Sequence, residues 1–173
     1  MSFETVELTI EDGVATLTFN RPDALNAFNP QLIADTRAAV AQVAANDDAR
    51  VLILTGAGRA FSSGADLAAG STAPEGSSIG EGVASSMEVG FNPMAREIAA
   101  LGKPVISAVN GVTAGGGVGV ALAADIVVAG KSAYFVQEPA VVIQVQNGAG
   151  SCWDASFSDA TKNDPSRYDG RLP

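Results

Sequence analysis

The residues best placed to do chemistry in this chain mostly lack reactive side chains. Two stretches, Ser62–Leu67 (SSGADL) and Asn110–Gly117 (NGVTAGGG), are dense in glycine and small residues, and each follows an apolar run that reads as a strand. Glycine at such a point forgoes helix propensity and side-chain packing. It is expected where something must come very close to the backbone. The 173 residues include no histidine, which excludes Ser-His-Asp and Cys-His catalysis and histidine-based metal sites. Chemistry must then come from carboxylates, hydroxyls, Lys, Tyr or backbone amides. Two amides converging from separate turns make an oxyanion hole, and losing one such donor typically costs about 2.7–4 kcal/mol in the transition state.

Other glycine motifs fit less well. Gly115 and Gly117 could open G-x-G-x-x-G, but the last position is Val120, and no acidic residue closes a following strand at the dinucleotide-binding distance. AGKS at Ala129–Ser132 mimics the end of a P-loop, yet the required first glycine falls on Asp125.

Several elements must position the two turns. FETVELTI and VATLTFN alternate around an Asp-Gly turn, predicting a hairpin of Phe3–Ile10 with Val14–Asn20. RPDALNAFNP reads as a loop. Asn29-Pro30 then supplies an N-cap and a first-turn proline for a helix to about Ala45, with Leu32, Ile33, Thr36, Val40 and Val43 on one face. Val51–Thr55 and Pro104–Val109 are apolar runs that suit strands, the first covered on both faces. GAGRAFSSGADL reads as a loop, Ala68–Ser86 as a mobile small-residue stretch, and Met87–Leu101 as a helix. A helix over Gly115–Ala124 and strands at Asp125–Ala129 and Ala133–Val136 follow. Asp125, opening a strand, suits a cap or turn role. Strand and helix alternate, so the class is α/β, with both glycine turns at the carboxyl ends of parallel strands, where ligands bind. There is no internal sequence repeat.

Hydrophobic residues make up 47% and charged residues 17%, a globular composition sized for one domain. A formal net charge of -9 argues against nucleic-acid or anionic-membrane partners. No apolar run approaches the roughly 20 residues of a membrane span, and the start carries no signal-peptide pattern. The lone Cys152 fits a reducing, cytoplasmic setting. After about Gln137 the composition decays into a polar run without helical period. This predicts an ordered core over residues 1–137 and a divergent, disordered or non-homologous tail over 138–173.

RPDALNAF, VLILTGAGRAFSSGADL and PVISAVNGVTAGGGVGVALAADIVVAGKSAYF, in that order and spacing, resemble the crotonase, or enoyl-CoA hydratase/isomerase, family. The resemblance covers about residues 3–137. It implies a spiral of ββα units with parallel strands, and an acyl-CoA thioester as substrate, so that coenzyme A enters with the substrate and no separate cofactor or metal is needed. It implies that a thioester enolate is stabilised by the N–H groups of Ala65 and Gly116, within a binding segment of Ala24, Leu25, Ser63, Ala65, Asp66, Leu67, Gly115 and Gly116. In the family, Asp66 is structural more than catalytic. Arg21 and Arg59 are candidates for phosphate contacts, since an acidic protein needs local positive charge there; ordinary solvated surface arginines are the alternative. Homotrimers or hexamers are the assembly the resemblance implies.

The chain also departs from the pattern. Hydratases of the family carry a catalytic glutamate shortly after the glycine triplet, and Gly119 occupies that position here. Their second glutamate lies in an F-x-x-P-E segment; here FVQEP transposes Glu138 and Pro139. A chain lacking the first carboxylate lacks half of the water-adding apparatus. The resemblance is closer to the isomerase branch that includes ring-opening phenylacetate-pathway enzymes. These use one acid/base carboxylate in a PDLG-like segment that is not visible here, leaving Glu138 as a displaced base or a plain surface carboxylate. Family members continue into a C-terminal helical region that completes the site. The expectation is therefore that this region is missing or replaced, by truncation or a reading-frame shift, and the alternative to an enzyme is a silent fragment binding coenzyme A weakly at most. A related self-compartmentalising serine protease fold needs a histidine and is excluded.

Overall fold

The structure is a computed structural model that describes residues 3–69 and 87–136, together with the backbone of residues 145–146 and 152–153. The chain divides between Val136 and Gln137 into two units. In the first, strands come in consecutive pairs and three of the pairs are followed by a helix. β1 (Val6–Glu11) and β2 (Val14–Phe19) precede α1 (Pro30–Ala44), and β3 (Val51–Gly56) and β4 (Ala60–Ser62) precede α2 (Asn92–Ala99). β5 (Val105–Val109) and β6 (Val112–Ala114) precede α3 (Gly116–Leu122), and β7 (Ile126–Ala129) and β8 (Tyr134–Val136) complete the series. This ββα repeat has no counterpart as a sequence repeat.

The first strand of each pair, together with β2, builds a five-stranded sheet in the order β1-β2-β3-β5-β7, antiparallel only between β1 and β2. The second strands of the later pairs build a parallel sheet, β4-β6-β8. The β1–β2 turn places Asp12 at φ 51° and Gly13 at φ 86°, the left-handed pair that an Asp-Gly hairpin turn requires. Asn29 caps α1 as expected, its Oδ1 accepting from the Leu32 N–H at 2.8 Å with Pro30 behind it.

The core lies under one face of the larger sheet. Ala15, Leu17, Phe19, Leu52, Leu54, Val105 and Val109 meet Leu32, Val40 and Val43 of α1 and Met94 and Ile98 of α2. Phe19 packs edge-to-face on Phe28 at 5.2 Å and on Phe61 at 5.3 Å, and Phe28 packs on Phe91 at 5.4 Å. The expectation that Val51–Thr55 is covered on both faces does not hold. Leu52 and Leu54 are buried, while Val51, Ile53 and Thr55 are half-buried. Strands β7 and β8 are exposed throughout.

Two short strands escape a sequence reading. β4 and β6 have three residues each and lie inside stretches that read as glycine loops, too short for an alternating pattern to register. The helix expected over Met87–Leu101 begins as a single π-turn, Met87–Phe91, and becomes α-helical at Asn92–Ala99. Pro93 in the first α-turn has no N–H to give to the preceding turn. The expected mobile stretch lies outside the described residues from 70 to 86; its first two residues, Ala68 and Ala69, belong to a 3-10 turn, Leu67–Ala69. The expected disordered tail also lies outside them, apart from β9 (Val145–Gln146) and β10 (Cys152–Trp153), an antiparallel pairing not anticipated from the sequence.

Candidate functional site

The two glycine-rich turns meet because β4 and β6 pair in parallel, Ala60 against Val112 and Ser62 against Thr113. Each strand then runs straight into its corner, Ser63–Asp66 or Gly115–Gly116. The corners touch. Gly64 has φ +90°, and a Cβ built on it would lie 2.8 Å from Ala114 O and 3.1 Å from Gly116 N. Gly115 has φ +49°, and its Cβ position lies 4.0 Å from Gly64 Cα. Standard bond lengths then keep the Ala65 and Gly116 nitrogens within about 7 Å of each other.

The hydrogen bonding around these nitrogens is selective. Ser63 N–H donates to Leu25 O at 2.9 Å, Asp66 N–H to Phe28 O at 3.0 Å, and Gly115 N–H to Val136 O at 3.1 Å. Gly64 N–H donates to Ser62 Oγ at 3.1 Å. Among the described residues, neither Ala65 N–H nor Gly116 N–H has an acceptor. Ala65 is exposed and Gly116 half-exposed.

One expectation needs correction. The glycines were expected to clear space for a ligand, but at two of the three, protein atoms fill the space where a side chain would stand. A Cβ on Gly116 would meet the Phe91 ring at 2.6 Å, and one on Gly117 would meet Ser62 O at 2.7 Å, whereas at Gly115 nothing lies nearer than 4.0 Å. Gly116 and Gly117 thus admit their neighbours.

The loop Arg21–Phe28 holds the first corner. Pro22–Ala24 is a 3-10 turn, followed by Leu25 and Asn26 at φ 51° and 54°, two consecutive left-handed residues. Asn26 is fully buried and stabilises that conformation. Its Oδ1 accepts from Arg21 N–H at 2.9 Å, and its Nδ2 donates to Ala57 O at 2.9 Å and Ala60 O at 2.8 Å. Its carbonyl accepts from Ser62 Oγ at 2.8 Å. Phe28 N–H donates to Gly64 O at 2.7 Å, so an isolated parallel bridge pins Phe28 beside Ala65.

Of the residues expected at the site, Ala24, Leu25, Ser63, Ala65, Asp66, Gly115 and Gly116 come together through these contacts. Leu67 begins the adjoining 3-10 turn and is 94% exposed. Glu138 lies outside the described residues. Arg21 is engaged within the protein through one nitrogen, its Nη1 donating to Ala27 O and to Asp66 Oδ2 at 2.9 Å. Arg59 is exposed, as a solvated arginine would be. Asp125 braces two strands, its Oδ2 accepting from Val105 N–H at 2.8 Å. Sequence reasoning missed Asn26, Ser62, Phe28 and Phe91. The available signal was Asn26 itself, since asparagine tolerates left-handed backbone, whereas nothing marks Leu25 as its partner.

Among the described residues there is no cluster of three or more metal-ligating side chains, and no helix is long and apolar enough to cross a membrane.

The chain is similar to known proteins. The family model described as Enoyl-CoA hydratase/isomerase matches residues 9–151. The chain is 48% identical over 127 residues to 1,2-epoxyphenylacetyl-CoA isomerase of Escherichia coli (strain K12), covering 73% of this chain and 48% of that protein. It is 35% identical over 153 residues to a probable enoyl-CoA hydratase of Rhodobacter capsulatus, covering 88% of this chain and 56% of that one. Among solved structures, an enoyl-CoA hydratase from Bacillus anthracis superposes with a TM-score of 0.71 at 28% identity, over 80% of this chain and 54% of that one. A probable enoyl-CoA hydratase from Mycobacterium smegmatis gives 0.70 at 30% identity, over 82% and 55%. The chain spans about half the length of the curated relatives it matches. With its paired strands, two sheets and glycine corners, the chain has the crotonase fold and belongs to the enoyl-CoA hydratase/isomerase family.

Proposed function

We propose that this chain binds an acyl-CoA thioester with the thioester oxygen between the N–H groups of Ala65 and Gly116, and stabilises the enolate formed when a proton leaves the α-carbon. A carboxylate takes that proton while the C–H electrons move onto the thioester oxygen. The same group then returns the proton to a carbon of the substrate. Glu138 is the carboxylate of this chain assigned to that step.

The observation that carries the reading is the contact between the Gly64 and Gly115–Gly116 corners, with two neighbouring amides lacking acceptors among the described residues. Donors already fixed in place need no reorganisation as charge develops, which is how such sites lower a barrier. The exposed Ala65 and Leu67 and the half-buried Ala24, Leu25, Ser63 and Asp66 line the approach that coenzyme A would take. Isomerisation is favoured over hydration because Gly119, at the position of a hydratase glutamate, has no side chain to activate water. The similarity to an isomerase points the same way.

A second reading is a catalytically silent crotonase-fold chain that at most binds coenzyme A weakly. Gly119, at the position where hydratases of the family carry a catalytic glutamate, favours it. Incubating an acyl-CoA bearing α-protons with the protein in D₂O separates the two. Deuterium uptake next to the thioester is expected for the enolate-forming enzyme. Binding without uptake supports the silent chain, and absence of both refutes the acyl-CoA reading.

A further inference from the structure

The arginine expected at a phosphate is built into the first corner, and its role there deepens the proposed function on which it rests. Ala65 lies between two tethered residues. Gly64 O accepts from Phe28 N–H, and Asp66 N–H donates to Phe28 O. Asp66 is held a second time through its side chain: Oδ2 accepts from Arg21 Nη1 at 2.9 Å, and Oδ1 accepts from Ala68 N–H at 3.0 Å. The Arg21 nitrogen that reaches Asp66 also donates to Ala27 O, next to Phe28. The base of Arg21 is fixed too, its N–H donating to Asn26 Oδ1 and its carbonyl accepting from Asn26 N–H, both at 2.9 Å. The side chains of the ion pair are 22% and 14% exposed, so solvent screens it only in part.

Geometry and charge lead to the same assignment. The peptide plane that carries the Ala65 N–H also carries Gly64 O, which Phe28 N–H holds, and Asp66 anchors the other side of Ala65, so Arg21, gripping Asp66 and Ala27 beside Phe28, steadies both flanks of that N–H. An unpaired Asp66 carboxylate would also oppose negative charge gathering on a thioester oxygen beside Ala65. We propose that Arg21 is a positioning residue for the Ala65 N–H: its guanidinium clamps Asp66 and Ala27 together and neutralises the carboxylate nearest the oxyanion. It touches no substrate atom.

The test uses the full chain with Arg21→Gln, Arg21→Lys and the double variant Arg21→Gln/Asp66→Asn. In the ligand-free protein, amide hydrogen exchange at Asp66 and Phe28 should accelerate about tenfold in Arg21→Gln, while amides in the β3–β5 pairing stay unchanged. In α-proton exchange with acyl-CoA in D₂O, kcat for Arg21→Gln should fall about tenfold or more with KM within about twofold, as for a unit charge several Å away at an effective dielectric near 20. Arg21→Lys should retain more of kcat, and the double variant should regain part of the loss, because the opposing carboxylate is gone. A raised KM with kcat intact would mark Arg21 as a phosphate contact and overturn the proposal. So would unaltered Asp66 exchange in Arg21→Gln. Should Arg21→Gln fail to fold, Asp66→Asn breaks the same pair from the other side and is read by the same amide exchange. A wild-type protein that exchanges no α-proton refutes the proposed function, and the amide measurement still decides the clamp.

Discussion

Replacing Gly64 with alanine probes the contact on which the site depends. Its backbone has φ +90°, and the added Cβ would stand 2.8 Å from Ala114 O and 3.1 Å from Gly116 N. Both are main-chain atoms, which cannot swing aside as a flexible side chain can. Gly102 serves as the internal reference, having φ +72° and nothing within 4 Å of its Cβ position. Gly102→Ala should therefore cost only the left-handed penalty, about 1–2 kcal/mol. Gly64→Ala should cost that penalty plus about 1–3 kcal/mol for overpacking. Urea titration of the two variants beside wild type reads the difference as a larger midpoint shift at unchanged slope. Relief of the clash also drives the Gly116 corner away from Ala65, so α-proton exchange should fall by about 10²–10³, the effect of one lost donor. If Gly64→Ala proves no more destabilising than Gly102→Ala, the corners are not in contact and the reasoning about the amide pair fails.

Asp35 gives a prediction in pH. Burial pushes its carboxyl pKa up, but hydrogen bonds from Thr5 Oγ1, Thr5 N–H, Gln31 Nε2 and Glu4 N–H outweigh burial and hold it below its ordinary 3.8. A depressed folded-state value stabilises the fold above the unfolded pKa and is lost as pH falls through the folded one. Acid denaturation below about pH 4 should accordingly flatten in Asp35→Asn, as followed by circular dichroism. Asn26→Ala removes the side-chain partner of Ala57 O and Arg21 N–H and leaves Ala60 O only the longer bond from Asn110 Nδ2 at 3.4 Å. It should destabilise by at least about 3 kcal/mol in chemical denaturation and reduce α-proton exchange with it. Ser107 is fully buried and its Oγ has no partner among the described residues. Ser107→Ala should be neutral or stabilising by up to about 1 kcal/mol in the same assay.

The fold was legible wherever a pattern runs long enough to be seen. Alternation gave β1 and β2, the Asn29-Pro30 cap gave the start of α1, and apolar runs gave β3 and β5. The motifs in RPDALNAF, SSGADL and NGVTAGGG gave the family. The sequence did not reveal β4 and β6, because Ala60–Ser62 and Val112–Ala114 are set by pairing with each other across fifty residues rather than by their own composition. The family resemblance implied that the two corners converge, but the register that brings them together is a property of that pairing. The pairing of Arg21 with Asp66 was not legible in the sequence. A lone arginine carries no local mark of the carboxylate it will face, and Asp66 lies forty-five positions away. The glycine triplet reads as room for a ligand, although Phe91 uses the room at Gly116 and Ser62 that at Gly117.

The pairing of β4 with β6 also bears on when the site comes into being. No contiguous piece of the chain contains it, since Phe28, Gly64 and Gly116 arrive from three separate ββα turns and the parallel ladders joining them close only over long loops. Such non-local ladders form late and slowly along a folding route. The two corners therefore come together only once assembly is complete, and a ligand that contacts both would select the finished chain over every partly folded form, raising its stability by mass action.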